Sequence, residues 1–208
     1  DENNDIPNTP IEYFTDFPKI ASESDDFFFL QSIQGYKDII LKDVFQTNNY
    51  VYAIFETDCE FGDVQTDKLS LAVALISPFG NIERIMILPS RLPLSFLSAA
   101  LSGDGLVIMG RTEENILVFE VDIDINISET ITLPLADNGR LFPSQSGTLI
   151  MTGGSQNIVY RLSDSLETGF LPQGQIVEIY DFYNYIMIFI NSDNGYHILR
   201  LSNNLSIM

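Results

Sequence analysis

The sequence predicts an all-β protein made of four repeats, each with about four short antiparallel strands. Short apolar runs recur along the chain, and each run follows a polar or glycine-containing turn. A Leu-Pro pair also recurs about every 40 residues, at Leu88-Pro89, Leu133-Pro134 and Leu171-Pro172. No apolar stripe with the helical spacing of three and four residues persists, so no helix longer than one or two turns is expected.

The clearest element of each repeat is a turn followed by an apolar run. The four copies lie in Asn48–Phe55, Asp104–Gly110, Ser146–Gly153 and Tyr183–Ile190. Because these runs are apolar at consecutive positions, both faces of the strand are expected to be covered by other sheets. Each run therefore predicts a strand in the interior of the protein.

Further strands are predicted on both sides of each apolar run. The strands expected after the runs are Lys68–Ile76, Asn115–Ile125, Gln156–Leu162 and Gly195–Leu201. Those expected before them are Ile40–Phe45, Ser95–Leu101, Arg140–Phe142 and Gln175–Tyr180. A last strand is expected to end at each Leu-Pro pair, because proline lacks the amide donor that continues a ladder. In the fourth copy the corresponding position is Leu205–Met208.

The expected domain organisation is an N-terminal arm, 1–24, followed by one β domain, 25–208. The repeats of this domain cover approximately 40–89, 94–134, 139–172 and 174–208. Two earlier strands are predicted at Phe27–Ile33 and Asp38–Leu41, and one of them could complete the last repeat. The polar, proline-containing start of the arm is expected to be a tether.

Four antiparallel strands repeated every ~40 residues are typical of the blades of a β-propeller. Three arrangements fit the number of repeats. The chain could close into a four-bladed ring, it could be an arc of a larger ring, or two copies could pair to cover their open ends. The sequence leaves closure undecided, and self-association is expected under the third arrangement.

Two phrases of the repeat support a family resemblance. Ser102-Gly-Asp-Gly-Leu-Val-Ile-Met-Gly and Ser146-Gly-Thr-Leu-Ile-Met-Thr-Gly-Gly resemble the D-G-G-Y-I-V-A-G core of repeats in secreted bacterial propeller proteins, of the kind found among Bacteroidetes lipoproteins. The following segments Tyr160–Asp164 and Leu199–Asn203 resemble the second element of that repeat, whereas the tryptophan usual in the family is absent. The resemblance covers about 40–208, and it implies a propeller fold and an extracytoplasmic location. The acidic, asparagine-rich start also resembles the segment after the lipid-attachment cysteine of bacterial lipoproteins, which implies a lipid anchor.

The composition excludes several classes of partner. The chain has 29 acidic and 10 basic residues and a net charge of −19. Such a surface repels nucleic acid and anionic lipid, which bind to lysine and arginine. The apolar runs are far shorter than the ~20 residues that span a bilayer, so no transmembrane segment is expected. The single cysteine, Cys59, cannot form an internal disulfide.

The first metal candidate lies in the long insertion Glu56–Lys68. Its carboxylates Asp58, Glu60 and Asp63 could bind calcium, although their spacing differs from that of an EF-hand loop. A solvated insertion is the favoured interpretation, and no other cofactor is expected. A second acidic group alternates with apolar residues and is expected on the wet face of one strand, with cation or sugar binding as the alternative. Its members are Glu120, Asp122, Asp124, Asn126 and Ser128.

No catalytic residue is nominated from the sequence. There is no G-x-S-x-G turn, and His197 is the only histidine, so it would have to serve any triad. The favoured function is therefore an extracytoplasmic binding or protein-interaction module without catalysis, with a protein or a glycan as partner. The alternatives are a carbohydrate-active protein, which binds or hydrolyses glycans, and a purely structural protein.

Overall fold

The computed structural model of this chain describes residues 39–47, 49–58, 66–103, 105–143, 148–153, 157–162, 167–182, 184–202 and 205–208. These residues form fifteen β-strands and no helix, and they divide between two compact units, Asp1–Leu94 and Ser95–Met208. No membrane-spanning helix occurs among them. The predicted arm, 1–24, and the predicted strand Phe27–Ile33 lie outside the described residues. The predicted all-β class is confirmed.

The N-terminal unit, Asp1–Leu94, contains one described sheet with its strands in sequence order. The strands are β1 (Ile39–Gln46), β2 (Val51–Thr57), β3 (Ser70–Ile76) and β4 (Ile82–Ile87). The two central strands are buried on both faces, as predicted for Asn48–Phe55, whereas β1 keeps many side chains in solvent. Lys42 on β1 forms an ion pair with Glu56 on β2 at 2.7 Å.

The C-terminal unit, Ser95–Met208, contains three further antiparallel sheets, each with its strands in sequence order. The second sheet has β5 (Ser95–Ser102), β6 (Gly105–Arg111), β7 (Asn115–Val121) and β8 (Ile127–Pro134). The third has β9 (Asn138–Phe142), β10 (Thr148–Gly153), β11 (Asn157–Leu162) and β12 (Glu167–Leu171). The fourth has β13 (Gln175–Phe182), β14 (Tyr185–Ser192) and β15 (Gly195–Ser202). Each predicted repeat thus corresponds to one sheet.

The second and third sheets pack face to face around one apolar cluster. Gly139 allows this close approach, since a Cβ at that position would lie 2.7 Å from Met109 Cε. The backbone N–H of Leu141 also donates to Ser98 Oγ across the two sheets, at 3.1 Å. The buried members of the cluster are Ala100, Val107, Met109, Ile116, Val118, Leu133, Leu141, Ile150, Tyr160 and Leu162.

The third and fourth sheets pack together in the same way. The third sheet contributes side chains from its opposite face, such as Leu149 and Val159, and the fourth contributes isoleucines of β14. The third sheet is therefore covered on both faces, as its apolar run predicted. The buried members of this cluster are Leu149, Met151, Val159, Leu171, Ile186, Ile188, Ile190, Leu201 and Leu205.

The fourth sheet has three strands where the others have four. The expected last strand at Leu205–Met208 is reduced to one isolated bridge, between Leu201 and Ile207, and a hydrogen bond from Met208 N to Arg200 O at 2.9 Å. The outer edge of β15 from Gly195 to Leu199 has no strand beside it among the described residues.

The predicted strand Asn115–Ile125 is wrong at its C-terminal end. The strand β7 ends at Val121, and the chain then turns, with Asp122 Oδ1 accepting hydrogen bonds from the backbone N–H groups of Asp124 (3.0 Å) and Asn126 (2.7 Å). Ile125 closes the turn with φ of 54° and a fully buried side chain. The alternation of acidic and apolar residues is therefore divided between β7, a turn and β8, and the prediction of one polar strand face is wrong.

Candidate functional site

The predicted calcium ligands are only partly within the described residues. Asp58 directly follows β2 and is half-buried, whereas Glu60 and Asp63 lie outside the described residues. In the described part of the chain, no group of three or more His, Cys, Asp or Glu could hold a metal ion. Calcium binding by this insertion stays a prediction.

The acidic residues around β7 include a pair of like charges on neighbouring strands. Glu120 on β7 lies directly opposite Glu129 on β8, at the wall of a small pocket of about 280 Å³. Burial raises the pKa of the Glu120 carboxyl, and the negative charge of Glu129 raises it further. Like charges opposite each other on neighbouring strands are destabilising, so this pair opposes folding when both are ionised.

Replacing Glu120 by glutamine is expected to stabilise the protein at neutral pH by about 0.2–1 kcal/mol, because it removes the cross-strand repulsion. A raised pKa means that the folded state binds the proton more tightly than the unfolded chain does. Wild type therefore regains stability as the pH falls, and the advantage of Glu120→Gln disappears below the ordinary carboxyl pKa. Urea unfolding across this pH range tests the sign. Glu83→Gln on the exposed side of β4 is the control, and an advantage of Glu120→Gln that grows at low pH would contradict the assignment.

A cleft lies in the C-terminal unit, where the third and fourth sheets meet. Its volume is about 750 Å³, and its lining is dominated by amide side chains. We call it the amide cleft. The residues that line it are Asp137, Asn138, Asn157, Pro172, Gln173, Gly174, Gln175, Asn191, Ser192, Asp193, Asn194 and His197.

The floor of the amide cleft is held by Asn157, which opens β11 and is 2% exposed. Its Nδ2 donates to the carbonyl oxygens of Pro172 (2.8 Å) and Gly174 (2.7 Å), which fixes the connection between β12 and β13. Gly153 at the end of β10 makes room for the amides, because a Cβ there would lie 3.1 Å from Asn157 Oδ1 and closer still to Asn138 Oδ1. The position of these two amides is therefore built into the fold.

The hairpin between β14 and β15 forms one wall of the cleft and contains the histidine. Ser192 Oγ lies 2.9 Å from His197 Nε2 and donates a hydrogen bond to Gly195 O at 3.0 Å. These two contacts link the ends of β14 and β15 beside the turn and stabilise the hairpin.

The second candidate surface is the outer face of the fourth sheet. Residues alternate in direction along a strand, and cross-strand partners share a face, so one face of β13–β15 is buried against the third sheet. The opposite face is partly exposed and largely apolar, and it also carries Glu178 and Arg200. Phe182 stacks on Tyr185 with ring centroids 4.7 Å apart, and the Arg200 guanidinium lies 4.1 Å from the centre of the Tyr185 ring. We call this the aromatic face, formed by Tyr180, Phe182, Tyr185, Met187, Phe189 and Ile198.

Neither surface is predicted from the sequence. His197 was considered, but Ser192 was not, and the amides of the cleft are spread over 138–194 within ordinary turn segments. One signal was available, since Asn157, Gln175 and Asn191 all lie at strand ends, where ligand-binding side chains are common in β-proteins. A scan against protein-family models and a search of curated protein sequences each found no match to this chain.

Proposed function

We propose that this protein is an extracytoplasmic protein-interaction module without catalytic activity, whose four sheets are blades of a β-propeller-like arc. The observation that carries the proposal is the exposed aromatic face of β13–β15. In the same unit, the equivalent apolar faces of neighbouring sheets are buried against each other. A sheet face of this composition is expected to be covered in the functional assembly.

The exposed side chains of the aromatic face are large. Tyr180 is 52% exposed, Phe182 42% and Ile198 63%. With the partly exposed neighbours they present roughly 400 Å² of apolar surface, if each aromatic side chain has about 150–250 Å². This is about half of the ~800 Å² that each partner contributes to a standard interface. The remaining interface area can come from the polar residues around the aromatic face.

The occupant that we propose is a second copy of this chain, packed through the same face. The second, third and fourth sheets already pack on one another through apolar faces, so a fourth sheet of a second copy has the matching surface. A two-fold contact uses the same patch on both copies. The face carries Glu178 as well as Arg200, so two copies do not repel each other there despite the net charge of −19.

Replacing Ile198 by lysine is expected to convert a dimer into a monomer. In a two-fold contact the new charges approach each other and lose water, which costs far more than the isoleucine contact contributes. Analytical ultracentrifugation over a range of concentrations measures the dissociation constant, and we expect at least about a hundredfold weakening. The control is Ile40→Lys, which places the same change at an exposed position of β1.

A wild-type protein that sediments as a monomer at every concentration would overturn the proposed self-association. Equal weakening by Ile40→Lys would place the interface elsewhere.

The propeller-like arrangement is tested separately by an experimental electron-density map, in which the four sheets must be arranged around one axis. The extracytoplasmic location rests on the sequence resemblance, and protease treatment of intact source cells must degrade the protein if it is exposed at the surface.

The proposed lack of catalysis is supported by the position of Ser192 and His197. Their 2.9 Å contact lies within one hairpin, where Ser192 Oγ also donates to Gly195 O at 3.0 Å, so the two side chains serve to close the turn. Binding without turnover is therefore the activity expected of that cleft.

A further inference from the structure

We propose that the amide cleft is a binding site for a neutral oligosaccharide. The rim of this site adjoins the aromatic face, because Asn191 and Tyr196 lie on the same side of the fourth sheet as Phe189 and Ile198. The hydrogen-bonding floor around Asn157 belongs to the third sheet, so the proposal does not depend on self-association. The volume of the cleft, about 750 Å³, lies within the range of ligand-binding pockets. Its chemistry identifies the class of ligand.

Six of the twelve lining residues carry a carboxamide side chain. A carboxamide offers two donor hydrogens and an acceptor oxygen and carries no charge. A sugar hydroxyl also both donates and accepts, so neighbouring hydroxyls of a pyranose can satisfy both ends of one amide. The carboxylates of Asp137 and Asp193 add acceptors for further hydroxyl groups.

The cleft combines fixed and adaptable polar groups. Asn157 is held by its two hydrogen bonds to backbone carbonyls, and Asn138 lies against Gly153, so the floor has a defined shape before a ligand binds. Gln175 and Asn191 are cross-strand partners with exposed side chains at the rim. A preformed floor reduces the entropy cost of binding, and the rim can adjust to the ligand.

An aromatic side chain stands beside the rim. Tyr196 is the cross-strand partner of Asn191, so both side chains point to the same face of the sheet. Tyr196 is 80% exposed, which is the greatest exposure among the large apolar side chains described. An exposed ring next to hydrogen-bonding amides provides a flat apolar surface for the C–H face of a sugar, with a polar tip toward water.

The alternatives fit the lining less well. An acidic oligosaccharide, like a nucleotide, would meet two carboxylates in the cleft and a chain with a net charge of −19. A basic peptide would be attracted by that charge, and its backbone carbonyls could accept from the amides, but only two of the twelve lining residues are acidic and can pair with its cationic side chains. A neutral polyhydroxyl ligand can donate to the carboxylates and amide oxygens, accept from the amide N–H groups, and brings no charge that needs a partner.

The test is isothermal titration calorimetry of the full chain with three classes of probe. The probes are neutral tetrasaccharides of glucose, mannose, xylose and galactose, the matching uronic acid oligomer, and trilysine. We expect at least one neutral tetrasaccharide to bind. The double variant Gln175→Ala/Asn191→Ala is expected to bind it at least about tenfold more weakly, since two hydrogen bonds are lost, and Tyr196→Ala about tenfold more weakly.

The matched control is Gln46→Ala/Asn49→Ala, which removes the same two side-chain types from exposed positions next to the turn after β1. Its affinity must equal that of wild type. Binding of only the uronic acid oligomer or trilysine, binding of no probe, or neutral binding that survives the double variant would each overturn the proposal. If a neutral oligosaccharide binds and is cleaved in a reaction abolished by His197→Ala, the glycan site stands and the proposed lack of catalysis falls.

Discussion

Replacing Asn157 by aspartate is expected to destabilise the C-terminal unit by about 3–5 kcal/mol at neutral pH, the cost of a buried charge without compensation. The side chain is 2% exposed, and its Nδ2 donates to Pro172 O and Gly174 O. An ionised carboxylate has the same shape but no hydrogen to donate, so two negative oxygens would face two carbonyl oxygens in a buried site. Both carbonyls would also lose their partner.

This substitution also has a predicted pH dependence. Burial and the two carbonyl dipoles raise the pKa of the new carboxyl in the folded state, so the folded protein binds the proton more tightly than the unfolded chain does. The variant is therefore most stable below the ordinary aspartate pKa, and it loses stability as the pH rises through the raised value. The protonated acid can donate one of the two lost hydrogen bonds, so recovery at low pH is partial.

Urea unfolding monitored by far-UV circular dichroism measures this effect. The control Asn81→Asp makes the same isosteric change at an exposed position in the turn between β3 and β4. We expect its free energy of unfolding to stay within about 0.5 kcal/mol of wild type, as for most surface substitutions. If Asn157→Asp unfolds at the same urea concentration as Asn81→Asp, the Asn157 amide does not hold the floor of the cleft as described.

The second large effect is expected at Ile125, where a β-branched residue occupies the left-handed region with φ of 54° and is completely buried. Ile125→Ala should cost about 2–5 kcal/mol because it leaves a cavity. Ile125→Gly loses one more carbon, yet it adopts this φ without the roughly 1–2 kcal/mol penalty of other residues. The glycine variant is therefore expected to be at least as stable as the alanine variant.

The ordering should reverse in a regular strand. Ile108 on β6 is also fully buried, but its φ is not in the left-handed region, so glycine has no conformational advantage there. There, Ile108→Gly is expected to be less stable than Ile108→Ala by about 0.5–1 kcal/mol, the ordinary cost of glycine in a strand. Unfolding free energies of the four variants test both orderings. An alanine advantage at both positions would contradict the left-handed conformation of Ile125 in the turn that follows β7.

Asp122 explains why the strand predicted over Asn115–Ile125 ends early. Asp122, Asp124 and Asn126 alternate with isoleucine and valine, and a strand with one wet face has the same pattern. The outcome depends on two hydrogen bonds from backbone N–H groups to Asp122 Oδ1, which give the chain an alternative to the ladder. Periodicity does not distinguish the two, because it records which side chains are apolar and not what the backbone bonds to.

The sequence by itself determined the class of fold and the number of sheets. The run Ser146–Gly153 predicted β10, and the Leu-Pro pairs marked the ends of the outer strands, since burial on both faces and the missing amide of proline are local properties of the chain. Only the tertiary structure decided the two candidate surfaces. The amide cleft exists because Gly153 lets Asn138 and Asn157 approach each other, and the aromatic face is exposed because no further sheet covers β13–β15 among the described residues. Both depend on contacts between distant segments, which strand periodicity does not encode.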